Sequence, residues 1–157
     1  MRQLELRRHA RRDPAADRLS TAGRAQSEDV GRAATATYDV VFVSPSQRAA
    51  ETAAWFLRGA GQQLPDHHVV PGLAGHDASG GSPEGMADGA RALLDRVPDG
   101  GRGLAISHTP LVERAALGLT GIEIEPLKEC EGILVTLHDD GSIGVAELRL
   151  DGDPSAG

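Results

Sequence analysis

Arginine and histidine recur in this chain where short apolar runs stop. Leu4-Glu5-Leu6 runs into Arg7-Arg8-His9-Ala10, Val40-Val41-Phe42-Val43 into Ser44-Pro45-Ser46-Gln47-Arg48, and Leu104-Ala105-Ile106 into Ser107-His108. A neutral imidazole is a competent nucleophile toward phosphorus, and the phosphoramidate it forms is labile enough to be hydrolysed in a second step. Guanidinium groups present forked donors that match phosphoryl oxygens. Together these residue types can hold a phosphoryl group and transfer it. They lie far apart in sequence, so the fold must bring them together.

The three runs read as strands, and in open α/β sheets ligands bind just beyond the carboxyl ends of strands. Gln3–Arg7 alternates, so Arg7 is expected to face away from Arg8. Asp39–Val43 is continuously apolar, as a strand covered on both faces is, and Gly103–Ser107 forms the third. A helix from Ser20 or Thr21 to about Ala36 has Ala22, Ala25, Val30, Ala33 and Ala34 as its packing residues. Ser44 as N-cap, Pro45 at the first helical position and Gln47 closing a capping box predict a helix ending at Gly59. Arg48 then lies in a first turn whose free backbone N–H groups favour an anion. Val69-Val70 suggests a short strand, and the Gly- and Ser-rich stretch from Gly72 to Gly85 reads as a mobile flap near the site mouth. Ser82-Pro83 starts a helix with Met86, Ala90, Leu93, Leu94 and Val97 on one face. Thr109-Pro110 starts another, with Val112, Ala115, Ala116 and Leu119 inward. Ile133–His138 and Ile143–Leu150 flank Asp139-Asp140-Gly141-Ser142 as a C-terminal hairpin, and the tail from Asp151 is expected to be disordered.

Arg8-His9-Ala10 at the end of a first strand resembles the Arg-His-Gly signature of the histidine phosphatase superfamily, with Ala in the Gly place. Leu19-Ser20-Thr21-Ala22-Gly23 is similar to that family's Leu-Thr-x-x-Gly helix start. Ser44-Pro45-x-x-Arg48-Ala49-x-Glu51-Thr52-Ala53 resembles its second phosphate-binding segment. Ser107-His108-x-Pro110, followed by Leu119-Thr120-Gly121, resembles the second-histidine segment of the small SixA-like phosphohistidine phosphatases. The resemblance runs from residue 1 to about residue 140. It implies an α/β fold: a single-domain three-layer sandwich of the phosphoglycerate-mutase-like kind, its mostly parallel central sheet flanked by helices. The domain would span residues 1–150, leaving 151–157 as the tail. His9 would be the nucleophile, with Arg8, Arg48 and His108 binding the phosphoryl oxygens and no metal or cofactor required.

The departures from the family pattern concern proton transfer. Larger relatives carry a glutamate, in a Leu-x-Glu segment before the third helix, as general acid; the comparable place here is Leu73-Ala74-Gly75. The nearest substitutes are His76, Asp77 and Glu84, although a carboxylate at Glu84 suits the helix dipole in any case. The Asn that follows the signature in mutases is missing too, with Ala15 and Ala16 in that region. Both departures point to the SixA-like branch rather than to phosphoglycerate mutase. The expectation is a metal-independent phosphatase working through phospho-His9 on a phosphohistidine protein or a small phosphorylated compound. The alternatives are a general small-molecule phosphomonoesterase and a non-catalytic phosphate-binding regulatory module. A site short of a general acid favours phosphohistidine, whose imidazole departs neutral, over aryl phosphates, with alkyl phosphates last.

Composition narrows the rest. A chain of 157 residues supports one domain. Its net charge of −7 opposes nucleic acid and anionic membranes, and 3% aromatics leave little for base stacking. Of the 16 basic residues 15 are arginine, so position rather than number singles out Arg8 and Arg48. Arg11 and Arg12 read as solvated, with receipt of substrate as the alternative. His67, His68, His76 and His138 match no motif and read as surface residues. The lone Cys130 cannot form an internal disulfide and reads as structural or incidental. The N-terminus has no signal-peptide core, and no apolar run approaches the roughly 20 residues of a membrane helix, so a cytoplasmic setting is expected.

Overall fold

The computed structural model describes residues 1–65 and 67–150; the tail expected from Asp151 lies outside them. Among the described residues six strands form one sheet: β1 (Arg2–Arg8), β2 (Val40–Val43), β3 (His67–Val69), β4 (Arg102–Ser107), β5 (Gly132–Leu137) and β6 (Ile143–Leu148), in the order β3-β2-β4-β1-β5-β6. The first four are mutually parallel, while β5 and β6 join antiparallel as the expected hairpin. Helices α1 (Thr21–Ala33) and α2 (Gln47–Gly59) pair with each other, as do α3 (Pro83–Leu94) and α4 (Leu111–Thr120). The alternation of β1, β2 and β4 assigns one pair to each face. Leu4, Leu6, Phe42 and Ala105 pack with Met86, Leu94, Val112 and Ala116; Val41, Val43, Leu104 and Ile106 pack with Ala49, Ala53, Phe56 and Leu57. This is the expected three-layer α/β sandwich.

Three local expectations are corrected. α2 is capped by Ser46, whose extended backbone (φ −145°, ψ 146°) and Oγ acceptor for Ala49 N fit the role; Ser44 remains with the strand and is free for other work. The third strand starts two residues early, at His67, and pairs with β2 only on its edge, so all three of its side chains are exposed. The stretch read as a flap opens with a 3-10 turn, Pro71–Ala74, which buries Leu73 and offers its carbonyl to Ser107 Oγ at 2.5 Å.

α1 packs differently from its alanine pattern. Its buried residues are Gly23, Ser27 and Gly31, one per turn, whereas Ala22, Ala25 and Ala33 face solvent. The reason is backbone proximity between helices. Ser27 Oγ donates to the Thr52 carbonyl at 2.7 Å, and a Cβ on Gly31 would lie 1.8 Å from the Phe56 carbonyl oxygen. This contact fixes α2, and with it Arg48.

On the α2 face, β1 carries charge instead of apolar bulk. Glu5 and Arg7 are buried and paired at 2.6 Å, and Tyr38 OH donates to Glu5 at 2.7 Å. Arg7 does face away from Arg8, as alternation requires, and its Nη1 donates to the Cys130 carbonyl at 2.7 Å. A buried ion pair of this kind adds little net stability but is costly to break, since the survivor is left uncompensated.

Gly31→Ala is therefore expected to destabilise by on the order of 2 kcal/mol, because overpacking outweighs the helix-propensity gain. Gly89→Ala, on an exposed face of α3 with nothing within 4 Å of the new Cβ, is expected to stabilise by about 0.5–1 kcal/mol. Urea denaturation of both variants checks the contrast; equal effects would contradict the helix contact.

Candidate active site

Strand register brings the dispersed residues together. Arg8 aligns with Ser107 across β1 and β4, and Val43 with Ile106 across β2 and β4. His9, Ser44 and His108 therefore leave one edge of the sheet side by side, where His9 N bonds Ser107 O and Ser44 N bonds Ile106 O, each at 3.0 Å.

His9 is buried, and its Nδ1 lies 2.7 Å from the Ala10 carbonyl. A carbonyl only accepts, so Nδ1 carries the proton and Nε2 keeps its lone pair. That Nε2 faces Arg48 Nε at 3.4 Å. Arg48 also reaches His108 Nδ1 through Nη2 at 3.3 Å and Asp17 Oδ1 through Nη1 at 2.9 Å. The two imidazoles meet edge to face, with centroids 5.3 Å apart. Since Arg48 can only donate, His108 Nδ1 is an acceptor and its Nε2–H points at Ser44 Oγ, 2.6 Å away. Ser44, released from helix capping, thus orients His108.

Arg8 closes the opposite side. Its Nη1 donates to Leu127 O at 2.8 Å, and its Nη2 lies 3.7 Å from Glu129. Its Nε is buried and lacks a hydrogen-bond partner among the described residues. Arg8, His9, Arg11, Arg12, Arg48 and Glu129 line one cavity; Arg48, His108, His76 and Asp17 line the adjoining one.

Of the three substitutes for the missing acid, only His76 reaches this region. Asp77 turns back to accept from Ser79 N and Oγ, and Glu84 is exposed in the first turn of α3. Two carboxylates that sequence reasoning passed over border the site instead. Asp17 accepts from Gln47 N, Arg48 N and Arg48 Nη1, so the first turn of α2 is occupied by the chain's own carboxylate and not open to an anion. Although burial pushes it up, these bonds hold the Asp17 carboxyl below its usual range. Its partners lie some thirty residues on, so no local pattern could have found it. Glu129, in the loop before β5, is the other.

Arg8 and Arg48 flanking an unprotonated Nε2 can neutralise and hold a tetrahedral oxyanion within reach of a nucleophile. The family model of the histidine phosphatase superfamily (branch 1) matches residues 4–91. The chain belongs to that superfamily. No curated protein matches the sequence. Among solved structures, this histidine phosphatase superfamily chain is similar to the protein histidine phosphatase SixA complexed with tungstate. The two share 26% identity at a TM-score of 0.72, over 94% of this chain and 96% of that one. It is also similar to a phosphoserine phosphatase from Entamoeba histolytica in complex with 3-phosphoglyceric acid, at 18% identity and TM-score 0.71, over 96% and 98%. A phosphoglycerate mutase from Bacillus anthracis shares the fold at 13% identity and TM-score 0.74, over 92% and 91%. The superfamily is one of phosphatases, and two of these three neighbours are named as such. Among the described residues no helix is long and apolar enough to cross a membrane.

Burial lowers the pKa of both histidines, helped by Arg48 at each: His9 falls below 6.5, and His108 to about 4. In the unfolded chain both imidazoles protonate near pH 6.5. The resulting stability is thus complete above pH 6.5 and is lost as pH falls toward 4. Histidine NMR titration should place His108 near pH 4 and His9 below 6.5 in the free protein, and added phosphate should raise both. Midpoints at 6.5 in the free protein would contradict the burial and cation proximity described.

Proposed function

We propose that the protein is a metal-independent phosphatase that works through a covalent phosphohistidine on His9, with phosphohistidine the preferred substrate class. The observation that carries this reading is His9 itself: Nδ1–H tied to the Ala10 carbonyl, Nε2 unprotonated and facing a guanidinium. In the first step Nε2 attacks phosphorus, and the bond to the leaving group breaks as the P–N bond forms. Arg8 and Arg48 neutralise the equatorial oxygens, with the unpartnered Arg8 Nε a ready donor. His108 gains a proton on Nδ1 as the dianion displaces Arg48 from it, and then becomes a further donor. In the second step water hydrolyses phospho-His9.

The preference for phosphohistidine follows from the leaving group. An alkoxide needs a proton during bond breaking, whereas an imidazole can carry one beforehand and depart neutral. Neither Asp77 nor Glu84 stands at the His9 cavity to supply that proton; His76 lines only the adjoining cavity, and Glu129, which does line it, is engaged there as a carboxylate ion-paired with Arg8 and Arg11. The similarity to a protein histidine phosphatase at 26% identity supports the same choice.

Rapid quenching with labelled phosphoramidate in EDTA should trap an acid-labile, base-stable adduct, absent in His9→Ala. Arg48→Ala and His108→Ala should each slow its formation by on the order of 10²-fold, the usual loss when a transition-state donor is removed. Labelling that survives His9→Ala, or activity that disappears with EDTA, would overturn the reading.

A further inference from the structure

The second step needs a group to take a proton from water, and the family pattern offers none in its usual place. We propose that Glu129 is that group, the general base that hydrolyses phospho-His9; this rests on the reading above and adds a catalytic residue to it. Three observations carry the assignment.

The first is position. Among the described side chains lining the cavity over His9, Glu129 is the sole carboxylate, set among Arg8, Arg11, Arg12 and Arg48. The second is freedom. Asp17 is fully engaged by three donors, whereas Glu129 holds Arg8 Nη2 and Arg11 Nε only at 3.7 and 3.8 Å, beyond hydrogen-bond range. Its side chain is 27% exposed, so it reaches both water and the cavity.

The third is how firmly the loop is built. Leu127 O is held by Arg8, Cys130 N donates to Arg8 O at 3.1 Å, and Cys130 O accepts from the buried Arg7. Cys130 has φ 66°, a left-handed conformation that a non-glycine residue rarely adopts. Glu131, buried beside it, accepts from Lys128 N, Leu150 N and Arg149. Residues on both sides of Glu129 are thus anchored to β1 or to the core, while Glu129 alone projects over the nucleophile's cavity.

Water oxygen bonds to phosphorus while its proton passes to a Glu129 carboxylate oxygen. The P–Nε2 bond breaks, and its electron pair returns to His9. Inorganic phosphate and neutral His9 remain, and Glu129 releases its proton to solvent.

Single-turnover experiments on the full chain, with phosphoramidate as donor, separate formation of phospho-His9 from its breakdown. Glu129→Gln, similar in shape and placed at a partly exposed position, is expected to form phospho-His9 at the wild-type rate and to hydrolyse it roughly 10²-fold more slowly, so that the phosphoenzyme accumulates. Glu129→Ala should behave alike and regain hydrolysis when formate is added. If both steps slow by one factor, Glu129 merely positions Arg8, and the proposal fails. It fails equally if neither step changes. A wild-type protein that forms no phospho-His9 would instead sink the functional reading beneath it, a result distinct from an active wild type with an unaffected variant.

Discussion

Parallel pairing of β4 with β1 on one side and β2 on the other is the constraint on which the site depends. Each pairing sets a register, and the registers agree, so His9, Ser44 and His108 leave the sheet together. A slip of one residue in either pair would turn alternate side chains to the opposite layer and separate the two imidazoles. The apolar alternation of Leu4 and Leu6 against Val41 and Val43 opposes such slips, because each set has its own helix pair to pack on.

The charged residues then form one connected system. Asp17 aims Arg48, Arg48 spans the two histidines, and Ser44 turns the second of them. On the far side Arg8 is held by the loop before β5, which is itself fastened through Arg7 beneath the sheet. The mostly negative chain thereby concentrates arginine at one edge while balancing it with Asp17 and Glu129. Burial does for the lone cysteine what it does for the imidazoles, favouring the neutral form: Cys130 is pushed up to about 12, consistent with a structural thiol.

Much of this was legible in the chain. Strand periodicity set Arg8, His9, Arg48 and His108 beyond the strands, and the resemblance to the family's motifs singled them out; the structure brings the four to one edge of the sheet. The helix beginning at Ser82-Pro83 was equally plain, with its Oγ cap and a buried face as its spacing implied. What escaped notice depends on tertiary contact. Ser44 and Ser46 are equivalent as caps by composition, and only the neighbouring His108 decides between them. The glycine and serine stripe of α1 looks like weak helix until another backbone lies against it. Asp17 and Glu129 come from loops whose sequences carry no signal of what they approach.

The central claim is that one oxyanion site is assembled from His9, Arg8, Arg48 and His108, and a structure of the protein with vanadate tests it most directly. The account predicts vanadium bonded to His9 Nε2, with oxygens accepting from Arg8 Nε and from Arg48, His108 beside them, and Asp17 still holding the far edge of the Arg48 guanidinium. Vanadate bound away from His9, or bound with Arg48 and His108 on different sides of the sheet edge, would contradict it.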